Sequence, residues 1–253
     1  MKNAANTDSK QRFSNRVDDY TRYRSGYPPE ALQFIRNQSN LNTNSTVADI
    51  GAGTGIFTAL LLNSGASVIA VEPNEAMRSA ADRHLQSYKN YSSVAGSAEQ
   101  TGLADQSVDL ITAAQAFHWF DCAEAKKEFV RILKPAGKSV LIWNRRDSSS
   151  AFMQHYDALL KDRLPEYNKV NHTNATDERI GEFLGNKMRK VEFPSDQSFD
   201  LNGLKGRLMS SSYCPAPGTE GHDELMIEIE KLYSKYSTDT GVQFDYSTQV
   251  YIS

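Results

Sequence analysis

The sequence predicts an α/β fold, a Rossmann-like three-layer sandwich with a mostly parallel sheet, and two observations favour it. Short apolar segments, typical of strands buried on both faces, alternate between residues 46 and 143 with amphipathic segments of helical length. Parallel strands need long crossover connections, so this alternation predicts successive βαβ units. The chain of 253 residues, 39% apolar and 23% charged, is long enough to bury the core of such a fold.

The predicted elements begin or end at residues that suit these positions. Pro28 and Pro29 precede apolar residues at helical spacing, Asn74 can cap the helix that follows it, and Pro135 ends a helical segment. The predicted helices cover residues 28–38, 56–63, 75–86, 123–133, 151–164, 204–211 and 223–236. The predicted strands cover residues 46–50, 67–72, 91–95, 107–113, 138–143, 190–199 and 241–251, and residues 168–176 are a predicted loop.

Charge and apolar patterning argue against several classes of protein. The net charge is −3 and the basic residues are scattered, so we expect no nucleic-acid partner. The polar amino terminus lacks the apolar segment of a signal peptide, and no apolar run reaches the roughly 18 residues that span a bilayer. Cys122 and Cys214 lack metal-ligand spacing. We therefore expect a cytoplasmic protein with no metal site and no membrane partner.

The turn at residues 49–55 reads Asp-Ile-Gly-Ala-Gly-Thr-Gly and lies between the first strand and the next helix. Glycines there let the backbone approach a ligand closely, at the sheet edge where open α/β folds bind ligands. The dinucleotide fingerprint requires a glycine where Ile56 stands, and the Asp49 carboxylate would repel a pyrophosphate. The turn favours a ligand with a cationic amine, and a nicotinamide-dependent oxidoreductase stays the alternative.

Glu72 ends the second predicted strand, about 20 residues after the glycines. A carboxylate at this place can accept hydrogen bonds from both hydroxyls of an unphosphorylated ribose. The alternative is an exposed acid at a strand end with no role. Because the glycine turn precedes Glu72 by the spacing that a ribose-binding acid has in such folds, we favour the ribose role.

With these motifs in place, the chain resembles the class I S-adenosylmethionine-dependent methyltransferases, and most closely the branch that includes trans-aconitate methyltransferase-like proteins. The resemblance is strong over roughly residues 13–145 and weaker beyond them. Ser25, Ser97 and Ala136 depart from the usual residues of the family. The matching segments are residues 20–28, 49–55, 71–74, 96–99, 108–111, 114–120 and 133–137.

The resemblance implies a seven-stranded sheet with an antiparallel last strand and S-adenosyl-L-methionine across the strand ends, with S-adenosyl-L-homocysteine as product. It implies that the glycine turn contacts the methionine part of the cofactor, that the end of the second strand contacts the ribose, and that residues 98–99 contact the adenine. The loop at residues 115–116 would lie under the sulfonium. Two residues of the amino-terminal arm would close over the cofactor. The implied cofactor-binding residues are Tyr20, Arg24, Asp49, Gly51, Ala52, Gly53, Glu72, Pro73, Ala98, Glu99, Gln115 and Ala116.

We expect residues 1–253 to form a single methyltransferase domain with four parts. Residues 1–45 are an amino-terminal arm and helix that cap the cofactor, and residues 46–145 are the cofactor-binding core. Residues 146–240 cover the substrate, and residues 241–253 contain the final strand. The sequence predicts no oligomeric state.

Methyl transfer from a sulfonium needs alignment of the reactants, and a base only where the acceptor has a proton to lose. His118 is the candidate catalytic base, and the alternative is that it shapes the pocket. Four aromatic residues could wall the acceptor site or pack in the core: Tyr23, Tyr27, Phe117 and Trp119.

We expect a small-molecule acceptor, and an acid, a sterol, a quinone and a nitrogen compound all stay open. Arg145, Arg146 and Arg207 could bind an acidic acceptor, but we expect these arginines to be exposed and solvated. A cofactor-binding relative without catalytic activity is a further alternative to the enzyme.

Overall fold

In the computed structural model, residues 26–169, 176–211 and 213–253 are described. They form a seven-stranded sheet with helices on both faces. The strands are β1 (Thr46–Ile50), β2 (Ser67–Val71), β3 (Tyr91–Val94), β4 (Val108–Ala114), β5 (Leu133–Arg146), β6 (Arg189–Phe199) and β7 (Val242–Ile252). The helices are α1 (Pro29–Ser39), α2 (Ile56–Leu62), α3 (Glu75–Leu85), α4 (Cys122–Ile132), α5 (Ala151–Arg163), α6 (Pro165–Lys169), α7 (Asp177–Leu184), α8 (Leu201–Met209) and α9 (His222–Tyr236).

The strand order is β3-β2-β1-β4-β5-β7-β6, and it confirms the predicted fold. Strands β1 to β5 are parallel, whereas β7 runs antiparallel to both β5 and β6. The chain moves outward from β1 to β3 and then returns to place β4 on the other side of β1. This reversal opens a crevice at the carboxyl ends of β1 and β4, which is where such sheets bind ligands.

Most predicted elements coincide with the structure within one or two residues, and the exceptions lie after residue 132. The fifth strand begins at Leu133 rather than 138, because Leu133 already pairs with Val108. It continues to Arg146 because its end pairs with β7. Helix α8 begins three residues before the predicted start, where the Asp200 carboxylate accepts the Gly203 N–H at 2.6 Å and caps the helix.

The predicted loop at residues 168–176 was only partly correct. Helix α6 reaches into its start, residues 170–175 lie outside the described part of the chain, and helix α7 follows directly. The sequence analysis predicted neither helix. Thr176 caps α7 by accepting the Arg179 N–H at 3.2 Å. A threonine at this position is a sequence signal for the start of a helix, but the polar composition of the segment obscured it.

Three apolar clusters hold the layers together. One packs α4 and α7 on one face of the sheet, and a second packs α1 and α2 on the other face. The third lies beyond the end of the sheet and joins α5, α8 and α9 to the adjoining ends of β6 and β7. We call this third unit the carboxy-terminal cap. Within the described ranges, no helix is long and apolar enough to cross a membrane.

Candidate cofactor and acceptor site

The glycine turn is fastened to the end of β2. The N–H groups of Gly51 and Ala52 both donate to the Val71 carbonyl, at 2.8 and 3.3 Å. Gly51, Gly53 and Gly55 all have left-handed backbone conformations, with φ of 69°, 59° and 84°. Side-chain-bearing residues seldom adopt such angles, so the turn requires glycine on conformational grounds alone.

The three glycines face different surroundings. A Cβ added at Gly51 would lie 2.6 Å from the Cβ of Ala116, in the loop after β4. A Cβ at Gly55 would lie 2.7 Å from Leu85 of α3. A Cβ at Gly53 would meet nothing within 4 Å among the residues that the structure describes. Gly51 and Gly55 therefore allow close packing of the chain, whereas the described residues leave the space beside the Gly53 Cα open.

The Asp49 carboxylate lies beneath this turn, fully buried. The Thr58 hydroxyl of α2 and the Thr112 hydroxyl of β4 each donate to one of its oxygens, both at 2.7 Å. Burial raises the pKa of this carboxyl from 3.8 to about 6, although the two hydroxyl hydrogen bonds oppose the rise. Asp49 thus joins β1 to α2 and β4 and places a titratable charge under the turn.

The Glu72 carboxylate connects the turn to the start of α3. Its Oε2 accepts the Gly53 N–H at 2.9 Å and its Oε1 accepts the Asn74 N–H at 2.8 Å. Asn74 in turn caps α3 by accepting the Met77 N–H at 3.0 Å. Glu72 is 8% exposed, so it is not the exposed strand-end acid of the alternative interpretation. A carboxylate accepts about four hydrogen bonds. The neighbouring Pro73 is exposed.

The loop after β4 has a backbone conformation that is rare for its residue type. Gln115 has φ of 58°, in the left-handed region. Its N–H donates to the Ile142 carbonyl at 2.9 Å, and its side-chain amide donates to the Asn144 carbonyl at 3.4 Å. A non-glycine residue in this region costs roughly 1 kcal/mol and is frequent at functional sites. The conformation brings Ala116 against Gly51.

Residues 98 and 99, implied to edge the adenine, lie in the loop between β3 and β4. Ala98 is buried among the apolar residues beneath the sheet edge. The Glu99 carboxylate accepts the Asp121 N–H at 2.9 Å, and Asp121 is the capping residue of α4. Glu99 therefore holds the start of α4, and its adenine role stays a prediction.

A short 3-10 helix, Phe117–Trp119, carries the candidate base. Phe117 is fully buried, and its ring lies edge-on to those of Trp143 and Phe183 at 6.0 and 4.9 Å. Phe117 is thus a core residue rather than a pocket wall. His118 and Trp119 are half-buried, with ring centroids 4.7 Å apart. Their position beyond the end of β4 is the one that a base or an acceptor-pocket wall requires.

The amino-terminal arm enters the described part of the chain beside this loop. The Asn144 side chain donates to the Gly26 carbonyl at 2.7 Å and accepts the Thr248 hydroxyl of β7 at 2.6 Å. Tyr27 packs edge-on against Phe57 of α2 at 4.9 Å, so it fastens the arm. Asn144 is a site residue that the sequence analysis missed, because only strand pairing reveals it. Three predicted residues of the arm lie outside the described ranges: Tyr20, Tyr23 and Arg24.

The prediction that Arg145, Arg146 and Arg207 are exposed was wrong for all three. Arg145 and Arg146 are half-buried, and Arg207 is 7% exposed. The described residues contain no group of three or more His, Cys, Asp and Glu that could hold a metal ion.

Known proteins similar to this chain are methyltransferases. Residues 48–141 match the family model described as a methyltransferase domain. An uncharacterized methyltransferase of Schizosaccharomyces pombe is 30% identical over 245 residues, which cover 95% of this chain and 96% of the relative. An uncharacterized methyltransferase of Mycobacterium tuberculosis is 35% identical over 148 residues, which cover 58% of this chain and 58% of the relative.

Among solved structures, a candidate type II methyltransferase from Anaeromyxobacter dehalogenans shares the fold, with a TM-score of 0.63. It is 22% identical, and the match covers 91% of this chain and 97% of that chain. The match to the fission yeast relative extends along nearly the whole of both chains, and the strand order is the one that the family implies. The chain belongs to the class I S-adenosylmethionine-dependent methyltransferases.

Proposed function

We propose that this protein binds S-adenosyl-L-methionine above Gly53 and Glu72 and transfers its methyl group to a small-molecule acceptor. The observation that carries the proposal is the link between these two residues. The Gly53 N–H donates to Glu72, and the space above Gly53 is open. A nucleoside seated there has its ribose hydroxyls beside the Glu72 carboxylate, which is an acceptor for them.

The charge of the site supports this cofactor over a dinucleotide. Two buried carboxylates, Asp49 and Glu72, lie at the turn and create a negative potential. Such a potential favours a ligand with an ammonium and a sulfonium and disfavours a pyrophosphate. When bound, S-adenosylmethionine supplies a methyl group on a positively charged sulfur. A nicotinamide-dependent oxidoreductase, the alternative, would instead need a site that prefers a pyrophosphate over a cationic ligand.

The remaining site residues receive roles that follow from their positions. Gln115 and Ala116 form the floor beside the glycine turn, and Ala52, Pro73, Ala98 and Glu99 surround the nucleoside. His118 accepts a proton where the acceptor has one to lose. Tyr20 and Arg24 close over the cofactor and exclude water, which is consistent with the anchoring of Gly26 by Asn144.

The division of the chain follows the same proposal. Residues 1–45 cover the cofactor, residues 46–145 bind it, residues 146–240 cover the acceptor, and residues 241–253 complete the sheet. We further propose a cytoplasmic location and the branch that includes trans-aconitate methyltransferase-like proteins. The segments at residues 20–28 and 114–120 support that branch.

Calorimetry with S-adenosylhomocysteine tests the cofactor site without any need for an acceptor. We expect micromolar-range binding that weakens about tenfold or more in Glu72→Gln, because one charge-assisted acceptor for the ribose is lost. Glu75→Gln, an exposed residue in the first turn of α3, is the matched control and should bind as the wild type does. NADH should not bind.

Two results would contradict the proposal. One is a folded wild-type protein that binds neither S-adenosylmethionine nor S-adenosylhomocysteine. The other is equal affinity of the wild type and Glu72→Gln. A homocysteine-coupled screen of acceptors then separates an enzyme from a cofactor-binding relative, because only an enzyme releases S-adenosylhomocysteine.

A further inference from the structure

Strands β5 and β7 change from apolar to polar side chains where they reach the cofactor crevice. On the face of the sheet that α1 and α2 cover, Ile142 of β5 lies opposite Val250 of β7, and both are fully buried. The next pair on this face is Asn144 and Thr248, which are 9% and 0% exposed. A buried polar pair costs free energy unless it is hydrogen-bonded, and apolar side chains would continue the row without that cost. Packing alone therefore does not explain this pair.

The hydrogen bonds of this pair have only one possible direction. The Gly26 carbonyl can only accept, so the Asn144 Nδ2 donates to it, at 2.7 Å. The Asn144 Oδ1 then faces Thr248, whose hydroxyl donates to it at 2.6 Å. That hydroxyl has one proton, so the Ser195 hydroxyl of β6 is the donor in its contact of 3.2 Å with Thr248. The surroundings thus fix the orientation of the Asn144 amide.

The segment before α1 is attached at two adjacent residues. Gly26 binds to the end of β5 through Asn144, and the Tyr27 ring packs against Phe57, with 4.9 Å between ring centroids. Phe57 is the second residue of α2, which follows the glycine turn. Gly26 is exposed and has no side chain to pack. Among its described contacts, the hydrogen bond from Asn144 is the one that fixes its position.

The backbone of Asn144 contacts the other side of the crevice. Its carbonyl accepts the Gln115 side-chain amide at 3.4 Å, a long hydrogen bond. The left-handed conformation of Gln115 brings Ala116 against Gly51 of the glycine turn. Asn144 is therefore bonded both to the segment before α1 and to the loop that is expected to lie under the sulfonium. A displacement of this one residue is expected to disturb both.

We propose that Asn144 is a positioning residue that holds Gly26 and the Gln115 side chain at the cofactor crevice and so sets the lifetime of the bound nucleoside. The inference rests on the proposed function and adds to the same site a residue that acts through its neighbours. A nucleoside leaves a crevice when the segments around it move apart, and hydrogen bonds between these segments oppose that motion. Such bonds change the dissociation rate more than the association rate.

The test measures nucleoside release and stability in the same variants of the full-length protein. Stopped-flow tryptophan fluorescence follows the dissociation of S-adenosylhomocysteine, since Trp119 lies in the 3-10 helix beyond the end of β4. We expect Asn144→Leu to release the nucleoside about three- to tenfold faster, the factor that one lost hydrogen bond corresponds to. The association rate should change less than about twofold. Calorimetry should show the Kd rising by the same factor as the release rate.

Replacement of both partners separates positioning from stability. Asn144→Leu and Thr248→Val should each lower the Tm by about 2–8 °C, because each leaves a buried polar group without its partner. The double variant Asn144→Leu/Thr248→Val continues the apolar rows of β5 and β7, so it should regain most of the Tm. Its release of the nucleoside should stay as fast as in Asn144→Leu alone. A purely structural role predicts instead that slow release returns together with the Tm.

Asn90→Leu is the matched control. Asn90 is half-buried, and its side-chain amide donates to the Ala66 carbonyl at 2.6 Å, which is the same kind of bond as that from Asn144 to Gly26. The two residues precede β3 and β2, at the sheet edge opposite the crevice. Asn90→Leu should therefore lower the Tm without changing the rate of nucleoside release.

Three outcomes overturn the inference. They are an unchanged release rate in Asn144→Leu, slow release that returns in the double variant, and equal acceleration of release in Asn90→Leu. If Asn144→Leu does not fold, Thr248→Val decides, since it frees the Asn144 amide and should also accelerate release. A folded wild-type protein that does not bind S-adenosylhomocysteine instead contradicts the proposed function, whereas the three outcomes above leave the cofactor site intact.

Discussion

The glycine turn and the carboxy-terminal cap both bury charge, but they satisfy it differently. At the turn, the Asp49 carboxylate receives two hydroxyl hydrogen bonds and Glu72 receives two backbone N–H groups. At the cap, within the described ranges, Arg146 and Arg207 donate hydrogen bonds only to neutral tyrosine and serine hydroxyls. The acids of the turn thus have hydrogen-bond donors within the fold, whereas the two arginines form no ion pair with any described carboxylate.

We expect this difference to separate a fixed region, the turn, from a region that varies among relatives, the cap. A cofactor shared by a whole family needs one rigid backbone geometry, which hydrogen bonds within a continuous segment supply. An acceptor that varies among relatives needs side chains that can differ without disturbing that geometry. The following predictions test whether the two regions are separable in stability, binding and pH dependence.

The largest effect is expected at Gly51. In Gly51→Ala the new Cβ lies 2.6 Å from that of Ala116 and the residue keeps a φ of 69°. Backbone strain and overpacking together should lower the free energy of unfolding by about 2–5 kcal/mol, as measured by urea denaturation. The matched variant is Gly53→Ala, whose Cβ meets no described residue within 4 Å.

Gly53→Ala should cost only about 1–2 kcal/mol, from strain alone, yet should weaken S-adenosylhomocysteine binding because its methyl group occupies ligand space. Equal stability losses in the two variants would mean that the close approach of Gly51 to Ala116 is not a requirement of the fold. Unchanged nucleoside affinity in Gly53→Ala would place the ligand elsewhere.

A somewhat smaller effect is expected from Ile229→Ala in α9, since Ile229 is fully buried in the cap cluster. Removing its side chain should lower the free energy of unfolding by about 2–4 kcal/mol. The affinity for S-adenosylhomocysteine, measured by calorimetry where the variant is folded, should stay unchanged. Ile227→Ala removes the same atoms from an exposed position on the same helix, and its cost should not exceed about 0.5 kcal/mol.

If Ile229→Ala also weakens nucleoside binding, the cap and the turn are coupled and the comparison above fails. If the two isoleucine variants lose the same stability, the third apolar cluster does not contribute to folding as its burial indicates.

The smallest effect concerns the pH dependence of cofactor binding. The buried Asp49 carboxyl has a pKa raised to about 6, so it is charged in most molecules at pH 7 and neutral in most at pH 5. A ligand that brings an ammonium group near this carboxylate binds the charged form better. Affinity should therefore fall about tenfold, or about 1.4 kcal/mol, as the pH decreases from about 7 to about 5. Calorimetry with S-adenosylhomocysteine across this range measures it.

Asp49→Asn should remove this pH dependence, because no charge remains to titrate under the turn. Asp109→Asn is the matched control. Although partial burial opposes it, the Lys134 ammonium holds the pKa of Asp109 below 3.8, so this carboxyl does not titrate between pH 5 and pH 7. A pH profile that is the same in Asp49→Asn and wild type would show that another group controls binding.

The sequence by itself predicted the fold, and it predicted that the glycine turn and Glu72 lie together, where the Gly53 N–H donates to the Glu72 carboxylate. Alternating apolar and amphipathic segments predicted every strand, and the spacing from Gly51 to Glu72 predicted that one ligand contacts both. These features are local, because a turn, a cap and a strand end are each encoded within a few residues. Helices α6 and α7 were missed, because the polar composition of the segment around them obscured their local signals.

Tertiary structure alone decided the surroundings of Asn144, Arg146 and Arg207. Each of these side chains looks solvent-accessible in the sequence, since its partners lie tens of residues away on other elements. Asn144 acquires its role from the pairing of β5 with β7. The arginines acquire their tyrosine and serine neighbours from the cap and β7. Burial and counter-charge depend on the whole fold, so no sequence pattern within one segment could specify them.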